Sequence, residues 1–505
     1  MHMKLGNVIE FRKDLYFDGA VQADWFYDQK KAAKVAENFV FHGKDYFGAD
    51  EKKDSIDTIS LVMELAGKIG KSGSNPRSLA IADYGTGKSH LAVTMAQLFS
   101  GPQYMPQTYA RIISNIKTID SESAKKIATL CNERNFVIML NGIRDFNLHS
   151  EILKATRKSM RLYGIDDADL KRLNHTIDTA NRFFELNADS RKEDFEKAAS
   201  NRNWHLKGNE LISRIREDIG SDDTAFEIVN DVYEMTTGQR IRWEEGISAK
   251  AIVEMLLSNY CGLNGQFDSV VILFDEFGRY LEYASGTDGG RCGDNALQEL
   301  FEVSQNAEGA LHIINFIQAD IKTYLLRVDP NRNLSRYIGR YDESDKYRIS
   351  SNLETVFANL ISRKDKEAFR EIIEWQNKNE PEWKGLFEKI GKWTLTTGLW
   401  NSYDKYRKVV VEGIYPMHPV SVLMLTQLSG YLQNRSSMNL ISRSIADVAD
   451  IDLSQSIPLV LPVDLMRGDL YTEMLAAETS GRHRSDNCIR FENVLINKKC
   501  FSGTA

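Results

Sequence analysis

Four runs of this chain are almost wholly apolar: residues 79–81, 136–140, 270–274 and 311–317. Uninterrupted apolar runs of this kind predict strands buried on both faces, as in a parallel sheet covered by helices. Between and after them the apolar positions change to a helical period. Residues 58–69 read as an amphipathic helix, residues 91–99 as a helix following the first strand, and residues 295–306 as a helix before the last strand. Beyond residue 350, Leu353, Val356, Phe357 and Leu360 share one helical face. The fold class this predicts is α/β, with a parallel sheet flanked by helices.

Between the second and third strands the pattern lengthens. From Ile143 to Tyr260 there is no proline, and Leu170, Leu173, Ile177 and Ala180 recur at helical spacing among dense charges. The segment 143–260 therefore reads as a long helical insertion, far more chain than a minimal nucleotide-binding core needs.

The segment after the first strand carries chemistry. It runs Ala82, Asp83, Tyr84, Gly85, Thr86, Gly87, Lys88, Ser89, His90 and leads straight into a helix. Glycines let backbone N–H groups curl around phosphates, Lys88 reaches the β and γ phosphates, and the Ser89 hydroxyl can ligate Mg²⁺. The helix N-terminus adds its dipole to the anion site. Ala82 stands where the pattern usually has its first glycine, a small residue that weakens the match. The third strand ends in Asp275 and Glu276. At the C-terminal end of a core strand these two can hold the metal shell and orient or deprotonate water, respectively. The alternative is an ordinary strand with an acidic turn, which leaves the strand–loop–helix context of Lys88 unexplained. The fourth strand ends at Gln318, which is placed to sense the γ phosphate, with Asn315 as second choice.

An arginine can stabilise the charge that develops in phosphoryl transfer. The cluster at 332–341 supplies several, and Arg340 stands out because Gly339 before it permits a tight turn. For any one of them a surface arginine paired with nearby acids such as Asp342 and Glu343 is the simpler reading. Residues 286–293, rich in glycine, read as a flexible loop. The turn Tyr415, Pro416, Met417, His418, Pro419 reads as a rigid helix start within reach of a base or ribose, or as a purely structural turn.

Composition narrows the picture modestly. In 505 residues with a net charge of −7 and 27% charged side chains, nothing suggests a surface that binds polyanions as a whole. Five scattered cysteines at no metal-ligand spacing read as reduced thiols, and the segment lengths predict no membrane span. These features predict a cytoplasmic protein.

The segment from Phe17 to Asp24 (Phe-Asp-Gly-Ala-Val-Gln-Ala-Asp), the loop from Asp83 to His90, the turn from Tyr415 to Pro419 and the triplet Gln433, Asn434, Arg435 together resemble the large P-loop ATPases of BREX-type phage-resistance systems. The resemblance spans most of the chain in order, though its motifs outside the loop are short. It implies an AAA+-like or STAND-like ATPase using ATP and Mg²⁺. It also implies work beside other defence-system proteins, as a homo-oligomer, with double-stranded DNA reached through the complex. The domain reading is an N-terminal region at 1–70, an ATPase core at 71–349 and a helical lid at 350–445. Residues 446–505 read as the start of a further, truncated domain. A nucleotide-switched scaffold with little turnover, and a DNA translocase or helicase loader, are the alternatives. Glu276 speaks against the scaffold, and the lack of a basic, aromatic-interleaved stripe speaks against autonomous DNA binding.

Overall fold

The computed structural model describes residues 3–13, 21–43, 55–82, 87–143, 145–173, 175–219, 222–241, 248–262, 264–349, 353–393, 398–428, 433–466, 469–479 and 489–490. Its strands are β1 (Ile9–Phe11), β2 (Ser55–Ile56), β3 (Arg77–Ile81), β4 (Asn135–Asn141), β5 (Ser269–Asp275), β6 (Leu311–Ile317), β7 (Asp345–Ile349) and β8 (Ile361–Arg363). Six of them form one sheet in the order β2-β7-β3-β6-β5-β4, and every pairing in it is parallel. All four predicted strands are found, each within two residues of its expected ends. The helix Asn295–Asn306 coincides with its expected bounds.

The period of two along each strand sorts the sheet into two cores. Leu79, Ile81, Phe136, Ile138, Val270, Ile272 and Phe274 pack under helices from 148–162, 249–260, 277–286, 295–306 and 333–341. Ala80, Val137, Met139, Val271, Leu273, Ile314 and Phe316 pack on the other face, against helices from 29–38, 58–66, 88–99, 106–117 and 121–130. Burial on both faces is why these strands are continuously apolar.

The edge at β4 is closed by side chains rather than by another strand. The Tyr27 hydroxyl accepts from Met139 N at 2.9 Å and donates to Met139 O at 3.1 Å. Ser159 Oγ donates to Val137 O at 2.6 Å, and Val137 N donates to the Tyr163 hydroxyl at 3.2 Å. Backbone groups that would template pairing with another chain are thereby occupied.

The expected domain limits shift in three places. The described residues within 1–70 do not share one core: Leu5, Val8 and Ile9 join a C-terminal helical core and β1 pairs antiparallel with β8, whereas apolar residues from Val21 to Phe41 and from Ile59 to Ala66 pack on the sheet. Amphipathic segments this short bury their faces only against a larger partner. The insertion is likewise narrower than 143–260. Helices Leu148–Leu162 and Ala249–Tyr260 belong to the sheet core, and only residues from Ala180 to Ile241 build a separate core around Phe184, Phe195, Ile215 and Val229. The C-terminal helical core runs from Phe357 through Val460 and Leu465 to Leu470, past the expected boundary at 445.

Candidate functional site

In a parallel sheet every strand delivers its last residues to the same edge. Register here sets Ile81 beside Ile317, Phe274 beside Asn315, and Asn141 beside Asp275. The residues that come after these strands, from Ala82 onward, from Glu276 onward and from Gln318 onward, consequently share one rim.

The centre of the phosphate-type loop, Asp83, Tyr84, Gly85 and Thr86, lies outside the described residues. At the end of the loop Gly87 has φ 83°, a left-handed conformation that glycine adopts without a Cβ clash, and it starts the helix Lys88–Phe99. Lys88 is 5% exposed, and its Nζ donates to the carbonyl of Ala82 at 3.0 Å, so the ammonium lies across the mouth of the loop. The Ser89 hydroxyl lies near enough to the Asp275 carboxylate to pull its pKa down.

His90, expected to bind the cofactor, points elsewhere. Two residues on from Lys88 in a helix turns the side chain about 200° away. Its Nε2 donates to Val35 O at 2.9 Å and its ring meets Phe39 edge-on at 5.1 Å. Burial pushes its pKa down to about 4, so it is a neutral packing group.

Asp275 faces the loop helix because it continues the β5 alternation Val271, Leu273, Asp275. It is fully buried, and burial above all, helped by the neighbouring Glu276 charge, pushes its pKa up to about 6 against the pull of Ser89 and Lys88. Its Oδ1 accepts from Glu276 N at 3.0 Å, while Oδ2 has no hydrogen-bond partner among the described residues. A buried carboxylate oxygen left unpaired beside a serine hydroxyl is a donor set suited to a hard cation. Among the described residues no cluster of three His, Cys, Asp or Glu side chains forms a protein-only metal cage.

Glu276 adopts φ 55° and ψ 35°, a left-handed backbone that is uncommon for a non-glycine residue and costs of order 1–3 kcal/mol. It caps the helix Phe277–Gly286 through its backbone only, which leaves the carboxylate for other work. Gln318 Nε2 donates to Glu276 Oε2 at 3.1 Å, so the expected sensor and the expected base are in direct contact. Gly142 makes this corner possible. Its N–H donates to Asp275 O at 2.9 Å, and a Cβ on it would stand 2.2 Å from Glu276 O. Sequence reading passed over Gly142, although a glycine immediately after a core strand is itself a signal of close backbone approach.

The remaining expectations fall outside this cluster. Asn315 is buried within β6, between Leu79 and Phe274, and does not reach the rim. Gly339 makes no turn, being inside the helix Asn333–Tyr341. Arg340 is half-buried with its guanidinium 5.2 Å from the centre of the Phe301 ring. That ring also carries Arg77, the first residue of β3, at the end of the strand opposite the loop. Arg340 is therefore not brought to Lys88 and Glu276 of its own chain. Arg332 donates 2.6 Å hydrogen bonds to Ser285 O and Thr287 O, and residues 289–292 form a short helix where a flexible loop was expected. The 415–419 turn belongs to the C-terminal helical core: Tyr415 and Met417 are buried there, and His418 caps the helix Pro419–Gln427. Gln433 opens the helix Gln433–Val448.

No protein-family model matches the chain, and no curated protein is significantly similar to it. Among the described residues no helix is long and apolar enough to cross a membrane.

Proposed function

We propose that this chain is a Mg²⁺-dependent ATPase with a P-loop core of AAA+-like or STAND-like type. The observation that carries the reading is the meeting at one rim of Lys88 and Ser89 after β3, Asp275 and Glu276 after β5, and Gln318 after β6, with Gln318 already bonded to Glu276 at 3.1 Å. This reading uses together a buried aspartate with one unpaired oxygen, a strained glutamate and a loop lysine.

In this reading Lys88 turns from the Ala82 carbonyl to the β and γ phosphates of ATP, and the first turn of its helix adds N–H donors. Ser89 and Asp275 would hold the metal, whose role is to neutralise charge building on the phosphate oxygens. Glu276 orients a water and takes its proton as the water oxygen bonds to the γ phosphorus. The bond from that phosphorus to the β–γ bridging oxygen breaks, releasing ADP and phosphate. Gln318 fixes the Glu276 carboxylate before the nucleotide arrives and is near enough to contact the γ phosphate once it does.

The BREX-type resemblance extends the proposal to anti-phage defence in a complex with other proteins and, through them, double-stranded DNA. Because Arg340 is held away from its own site, an arginine finger at this position would serve a neighbouring copy, which is the argument for a homo-oligomer. The test is steady-state hydrolysis of Mg·ATP alongside calorimetric nucleotide binding. Lys88→Ala should lose tight ATP binding, and Glu276→Gln should bind normally but hydrolyse at least ~100-fold more slowly. Unchanged affinity in the first, or near-wild-type turnover in the second, would refute the assignment.

A further inference from the structure

The helix Phe277–Gly286 begins at the rim, and its first turn carries a cation. Arg279 follows Glu276 by three residues, and its N–H donates to the Glu276 carbonyl at 3.0 Å, so the two residues stand one turn apart on the same side of the helix end. Helical side chains lean toward the N-terminus, which carries the Arg279 stem back toward Glu276 and the rim. That side of the helix is open: Phe277, Gly278, Tyr280 and Leu281 are buried, whereas Arg279 and Glu282 are exposed. The Gln318 amide that bonds Glu276 is exposed as well. Glu276, Gln318 and Arg279 thus offer their polar groups on the solvent side of the strand ends.

Neighbouring acids are taken by other cations. Glu282, one turn beyond Arg279, pairs with Arg327. Around the same corner Lys346 pairs with Asp320 and Asp342, Arg348 lies 3.5 Å from Asp320, and Lys322 lies 3.9 Å from Asp342. Of the cations in segments 276–282, 318–327 and 345–349, Arg279 alone has no carboxylate within 4 Å among the described residues. The helix dipole adds to this, because its positive end repels a cation placed in the first turn. Stability gives no account of an unpaired arginine set against a dipole one turn from Glu276; an anion arriving at the rim does.

We propose that Arg279 is a catalytic residue of its own chain's site, its guanidinium donating to a γ-phosphate oxygen as charge builds there during transfer to water. The proposal rests on the ATPase reading and adds the cation that Arg340 does not bring to its own chain. Arg279→Met removes the charge and keeps most of the stem. Its kcat for Mg·ATP should fall by about 100–1000-fold, with ADP affinity and the urea midpoint as in wild type. Calorimetric titration with ADP, magnesium and aluminium fluoride, which together imitate the transferring phosphoryl group, should lose the gain in affinity over ADP alone that wild type shows. Mixing Arg279→Met with Glu276→Gln protein should restore no hydrolysis, because the two groups serve one site on one chain. Wild-type kcat in Arg279→Met, an undiminished gain with aluminium fluoride, or recovered hydrolysis in the mixture would overturn the proposal. Wild-type turnover in Glu276→Gln would instead sink the ATPase reading itself.

Discussion

Gly142→Ala offers the sharpest separation of geometry from binding. The new Cβ would stand 2.2 Å from Glu276 O and 2.8 Å from its carbonyl carbon. Non-bonded carbon and oxygen atoms do not come closer than about 3 Å, so the Glu276 backbone must retreat by roughly 0.8 Å or more. Working groups tolerate about 0.5 Å, and a displacement near 1 Å costs on the order of 100-fold in rate. Gly142→Ala should therefore reduce kcat by about 100-fold with Mg·ATP affinity within a few-fold, since Lys88, Ser89 and the loop are untouched. The overpacking itself should destabilise the protein by about 1–3 kcal/mol. Gly339→Ala is the control: a Cβ there meets nothing within 4 Å and the residue is helical, so this change should stabilise by about 0.5–1 kcal/mol without altering turnover. Steady-state hydrolysis, calorimetric nucleotide titration and denaturant unfolding on the two variants decide the matter. A Gly142→Ala protein that hydrolyses ATP at the wild-type rate would refute the view that Glu276 is held in place by this contact.

Three further outcomes are expected. Asp275→Asn should weaken the Mg²⁺ dependence of ATP binding while leaving metal-free binding within a few-fold, measured by titrating nucleotide with and without magnesium; identical magnesium dependence would remove Asp275 from the metal site. Buried His90 and His312, with pKa values near 4 and 3 in the fold against 6.5 unfolded, make stability complete above about pH 6.5 and erode it as pH falls, while Asp275, raised to about 6, opposes them by one proton. These three groups together contribute a loss of about 1.4 kcal/mol per pH unit between pH 6 and 4, and replacing both histidines by phenylalanine should remove that loss from the pH dependence of the urea midpoint; an unchanged dependence would contradict the burial of the two imidazoles. Replacing residues 175–241 by a Gly/Ser linker should leave ATP binding within a few-fold of normal, because that segment has its own core; replacing 150–248 should not, because it removes Ile152, Leu153 and Ser159 from the sheet.

The sheet was legible because four of its strands are buried on both faces and carry no other constraint. The placement of Lys88 and Ser89 after β3, and of Asp275 and Glu276 at the end of β5, was legible because the apolar runs before them mark where those strands end. The strand β7 was not. Its sequence Asp345, Lys346, Tyr347, Arg348, Ile349 looks like a polar loop, since its half-buried charges are satisfied partly by residues far along the chain: Lys346 pairs with Asp320 as well as nearby Asp342, and Lys68 pairs with Asp345 and Tyr347. Burial of charge paired across the fold leaves no local period to read. The role of His90 was misjudged for a related reason. Adjacency in sequence to Lys88 suggested a shared ligand, whereas helical rotation sends the two side chains in opposite directions.

If Glu276 is the base proposed above, its left-handed backbone sets selection for durability against selection for work. Asparagine or glycine would occupy that corner with less strain, so a library screened only for heat resistance or expression should drift toward them at this position and yield sturdier, silent protein. A screen for turnover should hold glutamate there, and the disagreement between the two screens at a single codon would mark the residue for which the fold tolerates its own discomfort.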